Sequence, residues 1–158
     1  EKGLDSYTFY MKKIVKNLEE LDNFVYELLR NIRQKETAQI ILLSGDLGAG
    51  KTAFTKSAAK FFSINEDVTS PTFVIQKEYS IQQHDFFKTM IHIDAYRLES
   101  KSELEYLKWS ESVQNRENII FMEWPEQVEG INTPNALGIN IKILDNESRE
   151  ISINEFIK

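Results

Sequence analysis

The chain has 158 residues, 41% of them hydrophobic and 28% charged, with a net charge of −6 and no cysteine. That length supports one domain with a real core and not two. The composition excludes disulfides, metal–thiolate sites and cysteine nucleophiles; no run approaches the ~20 apolar residues of a membrane span; and there is no broad basic surface for gripping nucleic acid.

Residues 1–10 are polar and mixed and read as a poorly structured leader, with the domain over 11–158 and Met11 as a natural start. From Lys16 to Gln34, Leu18, Leu21, Val25, Leu28 and Ile32 recur at spacings of three and four, which predicts an amphipathic helix packed on the domain. "AQIILLS" (38–44) is a short apolar, β-branched run and predicts a buried strand. Directly after it, "GDLGAGKT" fits the pattern G-x-x-x-x-G-K-[ST] in full: Gly45, Asp46, Leu47, Gly48, Ala49, Gly50, Lys51 and Thr52. Glycines let successive backbone N–H groups approach a ligand, and the positive end of the following helix adds to the same concave anion site. In such a loop the lysine reaches the β- and γ-phosphates and the Ser/Thr hydroxyl ligates Mg²⁺. "KTAFTKSAAKFF" (51–62) supplies that helix, with Ala53, Phe54, Ala58, Phe61 and Phe62 as its apolar side. The motif therefore lies between strand and helix, where nucleotide binding requires it. Nucleotide use without the apolar core of a signal peptide leads to the expectation of a cytoplasmic protein.

"NEDVTSPTFVIQKEYS" (65–80) reads as a loop entering a strand, "SIQQHD" as a hairpin turn, and "FFKTMIHIDAYRL" (86–98) as a second strand. Ser100 with Glu103 forms a capping-box signature for a helix over about 101–115. "NIIFMEWPE" (118–126) is another buried strand, closed by Pro125, and "LGINIKILD" and "REISINEF" alternate with period 2 around "NES", as an antiparallel hairpin does. The sum is one α/β domain around a mixed sheet, parallel near the loop, antiparallel at an edge, and flanked by helices.

A phosphate-binding loop needs a carboxylate opposite it to hold Mg²⁺, commonly at the end of an apolar strand. Asp94 after "MIHI" and Glu123 after "IIFM" both meet that description, and strand-end acids in such sheets face the ligand crevice. Spacing leaves open which binds metal and which aligns water. Thr69, Ser70 and Thr72 surround a rigid proline in "TSPT", with hydroxyls suited to touching a γ-phosphate or acting as a switch; a plain turn is the equal alternative. Arg97 serves either a charged pocket or a surface ion pair, and His92, on the strand face of Asp94, reads as a packed, hydrogen-bonded histidine. Trp124, next to Glu123, is either core or close to the nucleotide.

"GDLGAGKT", "TSPTF", "HIDAYRL" and "MEWPE", in this order and at these separations, resemble the TsaE (YjeE) family, small bacterial P-loop NTPase-like ATPases of tRNA threonylcarbamoyladenosine formation. The likeness runs from about residue 16 to the final hairpin. It leaves out the leader and the insert around "SIQQHDFFK". The resemblance implies ATP on the loop 45–52, Mg²⁺ held by Thr52 and Glu123, Lys51 and Asp94 needed for hydrolysis, and "TSPTF" as a switch-like segment. It also implies a TsaB–TsaD pair as partner, reaching tRNA only through that complex, and a slow, partner-stimulated ATPase that resets the transferase without being the transferase. The acidic balance agrees with indirect contact to tRNA. A small-molecule kinase shares the loop and size but usually carries an arginine-bearing lid, and Arg97 and Arg116 are scattered here. A regulatory GTPase needs an Asn-Lys-x-Asp element that the chain lacks. A nucleotide-sensing interaction module without useful turnover is the remaining alternative, and hydrolysis measured with and without the partner complex separates it from an ATPase.

Overall fold

The computed structural model describes residues 11–155, so the expected leader over residues 1–10 lies outside the described residues. Seven strands form one mixed sheet: β1 (Met11–Val15), β2 (Gln39–Ser44), β3 (Gln76–Ser80), β4 (Thr89–Asp94), β5 (Asn118–Glu123), β6 (Leu137–Ile143) and β7 (Arg149–Glu155), in the order β1-β7-β6-β2-β5-β4-β3. The four inner strands β6, β2, β5 and β4 run parallel. Antiparallel pairs close both sides, β3 on β4 and β7 on β6, with β1 added outside β7. Strands buried on both faces carry near-continuous apolar sequence, and this holds for "QIILLS" and "NIIFME".

The alternation of β2, β4 and β5 divides the core in two. Ile41, Leu43, Ile119, Phe121 and Met90 face helices α1 (Leu18–Asn31) and α2 (Lys51–Phe61). Ile40, Ile91, Ile93, Ile120 and Met122 face the short helices α3 (Lys101–Tyr106) and α4 (Trp109–Gln114). Helix α1 is narrower than its predicted 16–34 span, and the Asn17 side chain caps it by accepting from the Glu20 N–H at 2.9 Å. Its inward face is Leu21, Phe24, Val25 and Leu29; Leu18, expected in the apolar stripe, is 68% exposed at the first helical position. Helices α1 and α2 are pinned through Asp22, which takes the Lys60 ammonium at 2.8 Å and the Ser57 hydroxyl at 2.5 Å.

The single helix expected over 101–115 is two helices. The Ser100–Glu103 capping box is formed as predicted, but Lys108 adopts a left-handed conformation (φ 59°) and breaks the run. The break turns Trp109 inward, where its Nε1–H donates to the Asn132 carbonyl at 3.1 Å. Glu105 then caps the second helix by accepting from the Ser110 hydroxyl and N–H. The strands expected over 86–98 and 118–126 are shorter than their apolar runs. In the second, Trp124 takes a left-handed conformation (φ 58°) and feeds Pro125 into a 3₁₀ turn, Pro125–Val128. Strand β1 was not among the expected elements.

Candidate functional site

The loop 45–50 leaves the C-terminal end of the central strand β2 and enters α2. Its glycines are required by both space and conformation. A Cβ at Gly45 would overlap the Ile141 carbonyl oxygen on β6, so the loop can lie this close to the sheet only without a side chain there. Gly50 occupies the N-cap of α2 at φ 116°, a backbone state that L side chains rarely adopt, and no side chain caps the helix. The first N–H groups of α2 are therefore left for an anion, reinforced by the helix dipole. Ala49 is buried beneath the loop, and Leu47 projects from its tip at 87% exposure.

Lys51 folds back into the loop, donating from Nζ to the Gly45 carbonyl at 2.6 Å and the Asp46 carbonyl at 3.0 Å. Its ammonium also lies 4.1 Å from the centre of a Trp124 ring. Burial pushes the Lys51 pKa below the usual lysine value, and the carboxylates of Glu123, Glu126, Asp94 and Asp46 partly oppose that shift. A triphosphate would act in the same direction as these carboxylates.

Thr52, one residue on, donates from Oγ1 to Glu123 Oε1 at 3.0 Å, with Oε2 at 3.2 Å. Glu123 ends β5 and is buried, and its Oε2 also meets His92 Nε2 at 2.7 Å. Register pairs Asp94 with Glu123 across β4 and β5, so both strand-end acids lie on the sheet face that carries α2. The two are held differently. Asp94 Oδ2 accepts from Ser70 Oγ at 3.0 Å and Thr72 Oγ1 at 3.4 Å, while Oδ1 accepts from the Tyr96 N–H at 3.1 Å. Asp94 thus fastens the segment 70–75 to the strand end, and the Asp94 N–H adds a bond to the Ile75 carbonyl at 2.8 Å. Thr69 is exposed and stands apart from this cluster. Trp124 leans on Tyr96, with ring centres 5.1 Å apart. Arg97 lies over the exposed Phe73 ring at 5.2 Å.

Two site residues went unassigned in the sequence. Arg149, at the start of β7, donates from Nε to the Ala49 carbonyl at 2.9 Å and from Nη2 to Gly48 at 3.4 Å, and its Nη1 also reaches the Asp145 and Ser148 carbonyls. It ties the phosphate loop to the β6–β7 turn, a contact with backbone that no local pattern announces. His92 was expected to be packed and hydrogen-bonded, but nothing in its sequence neighbourhood named Glu123 as the partner. Beside the loop, a cavity of about 700 Å³ opens between the start of α1 and the β6–β7 turn, lined by Asn17, Leu18, Ala53, Asn146 and Arg149 among others. The uncapped N–H groups of α2, a lysine, and the hard oxygens of Thr52 and Glu123 are donors and ligands that could hold a nucleoside triphosphate with Mg²⁺.

The family model described as "Threonylcarbamoyl adenosine biosynthesis protein TsaE" matches residues 15–151. The chain is 34% identical over 137 residues to the tRNA threonylcarbamoyladenosine biosynthesis protein TsaE of Rickettsia prowazekii, covering 86% of this chain and 89% of that protein. It is 37% identical over 113 residues to the Bacillus subtilis protein of the same name, covering 72% and 67%. A crystal structure of Bacillus subtilis YdiB superposes with a TM-score of 0.71 at 26% identity, covering 96% of this chain and 88% of that one.

Proposed function

The chain belongs to the TsaE family of threonylcarbamoyl adenosine biosynthesis, and from that premise we propose that it is a Mg²⁺-dependent ATPase acting on a TsaB–TsaD pair in the cytoplasm. The observation that carries the reading is the Thr52–Glu123 hydrogen bond at 3.0 Å, which puts two hard oxygen ligands together at the first turn of the phosphate-loop helix. Loop N–H groups and Lys51 bind the β- and γ-phosphates, and the cavity lined by Asn17, Leu18 and Arg149 receives the nucleoside. Thr52 and Glu123 would hold Mg²⁺, which when bound would neutralise charge on the transferred phosphate. Asp94 orients the attacking water and accepts its proton.

In the state described, Asp94 is occupied by Ser70, Thr72 and the Tyr96 N–H. These take three of the roughly four acceptor positions of the carboxylate, so movement of the segment 70–75 favours water alignment, and basal hydrolysis is slow. A partner that binds this segment speeds turnover, and ATP hydrolysis resets that partner between cycles. No tRNA chemistry falls to this chain, and its net charge of −6 matches contact with tRNA through the complex only. The test is ATP hydrolysis and pull-down with the TsaB–TsaD pair in ATP, ADP and no nucleotide. Equal partner affinity in all three states, or hydrolysis unchanged by the pair, overturns the reading, because a cycle biases a partner only through differential affinity.

A further inference from the structure

We propose that His92 is a positioning residue for Glu123, holding the carboxylate so that it and the Thr52 hydroxyl present a preformed Mg²⁺ site; this rests on the reading of Glu123 as a metal ligand. His92 is fully buried, and its Nε2 lies 2.7 Å from Glu123 Oε2. Among the described residues its Nδ1 has no hydrogen-bond partner. The Glu123 hydrogen bond is thus the one polar use this imidazole has. An apolar residue at position 92, flanked on its sheet face by Met90 and the neighbouring Phe121, would bury without leaving a ring nitrogen unpaired. The polar side chain is accounted for by its partner.

The geometry says what the contact does. Glu123 has two oxygens and can rotate about its terminal bond; the Nε2–H fixes Oε2, and Thr52 Oγ1 lies nearest Oε1. Because β4 and β5 are hydrogen-bonded neighbours in fixed register, with His92 opposite Phe121 and Asp94 opposite Glu123, the imidazole is two residues back along the adjacent strand and approaches the carboxylate from within the sheet. That leaves the loop side of the carboxylate to the Thr52 hydroxyl. Hydrogen-bond partners of metal-ligating carboxylates typically change metal affinity about 10–100-fold when removed.

The experiment measures binding of a fluorescent, non-hydrolysable ATP analogue across a MgCl₂ titration and, separately, in EDTA. His92→Phe keeps the ring volume and removes the donor. It is expected to raise the half-saturating Mg²⁺ concentration about tenfold or more while leaving affinity in EDTA within about twofold of the parent. His92→Gln, which returns a donor nitrogen at the same reach, is expected to recover most of that loss. A purely structural histidine predicts instead equal loss of affinity with and without Mg²⁺, and no rescue by Gln; either result overturns the proposal. Glu123→Gln in the same titration separates the two levels: no Mg²⁺ shift there refutes Glu123 as ligand, whereas a shift there with none in His92→Phe refutes only the role of His92. A measurement on the unmodified chain covers the case of a variant that does not fold. With ¹⁵N-histidine labelling only His84 and His92 report. The His92 Nε2–H signal is expected to move when Mg²⁺ is added to the nucleotide complex while that of His84 stays. A stationary His92 signal overturns the proposal.

Discussion

Replacing Asp94 by Asn and by Ala separates its proposed part in hydrolysis from its tethering of the segment 70–75. Three hydrogen bonds end on this buried carboxylate, from Ser70, Thr72 and the Tyr96 N–H. An asparagine can keep all three pairings: its carbonyl accepts from Tyr96, and its NH₂ donates to hydroxyls that rotate to accept. Only the charge assistance is lost, so Asp94→Asn should cost about 1 kcal/mol or less. Alanine removes every acceptor. Each bond to a charged group contributes about 1.5–3 kcal/mol, and the sum is far from additive here. With the carboxylate gone, the Ser70 and Thr72 hydroxyls, 3.0 Å apart, can pair with each other, which softens the loss. A net cost of about 3 kcal/mol follows, or roughly 6–12 °C in melting temperature for a domain of this size. ATP affinity should survive in Asp94→Asn while turnover falls at least ~100-fold, since only a transition-state contact is removed. The assays are thermal melts, nucleotide binding, and limited proteolysis within residues 69–75. Asn melting as low as Ala would refute the tether geometry, and near-normal hydrolysis in Asn would refute the catalytic assignment.

Lys51→Ala should lower ATP-analogue affinity by about 100-fold, as a charge-assisted phosphate contact is removed; unchanged binding by calorimetry would count against the loop assignment. Arg149→Gln should weaken nucleotide about tenfold without touching it, because charge-assisted bonds to the Gly48 and Ala49 carbonyls hold the loop; affinity equal to the parent's would leave Arg149 as a turn residue only. Trp124, with Lys51 against its ring, should report Mg–ATP by fluorescence, and Trp124→Phe should abolish the signal while the buried Trp109 contributes little. Burial among Phe61, Phe62, Phe86 and Phe87 pushes the His84 pKa down, opposed by Asp85 and assisted by Lys88. The unfolded chain then binds the proton more readily, so stability is full above the unfolded value near pH 6.5 and declines as pH falls through the lowered folded pKa. His84→Asn, which keeps an acceptor for the Phe87 N–H, should flatten the fall in urea-unfolding stability as pH drops below about 6.5; an unchanged slope would refute the assignment.

The parts of this site legible in the sequence were those written in local pattern. Gly45, Gly50, Lys51 and Thr52 follow from spacing alone, and Asp94 and Glu123 from their places at the ends of apolar strands. What spacing left open was pairing. Nothing before Glu123 tells which acid reaches Thr52; that depends on β5 lying next to β2, a long-range choice. Arg149 was invisible because its partners are carbonyls about 100 residues earlier. Strand β1 was missed for a related reason: "MKKIV" has little alternation of its own and becomes a strand by pairing with β7. The helix over 101–115 failed differently. Its capping box and apolar positions are real, but packing Trp109 required a left-handed residue at Lys108, and tertiary packing overrode a continuous helical pattern.

The pairing of β1 with β7 joins Met11 to Ile153 and Val15 to Arg149. During synthesis the first strand of the sheet therefore emerges long before the strand that seats it. Until β7 arrives, β1 has no neighbour, the edge of β6 stays open, and the phosphate loop lacks the Arg149 guanidinium that anchors its carbonyls. Nascent chains ending before residue 149 should then carry the whole "GDLGAGKT" motif yet hold nucleotide poorly. Under the proposed function, competence to bind ATP would be a late event on the ribosome, coupled to completion of the sheet by one arginine.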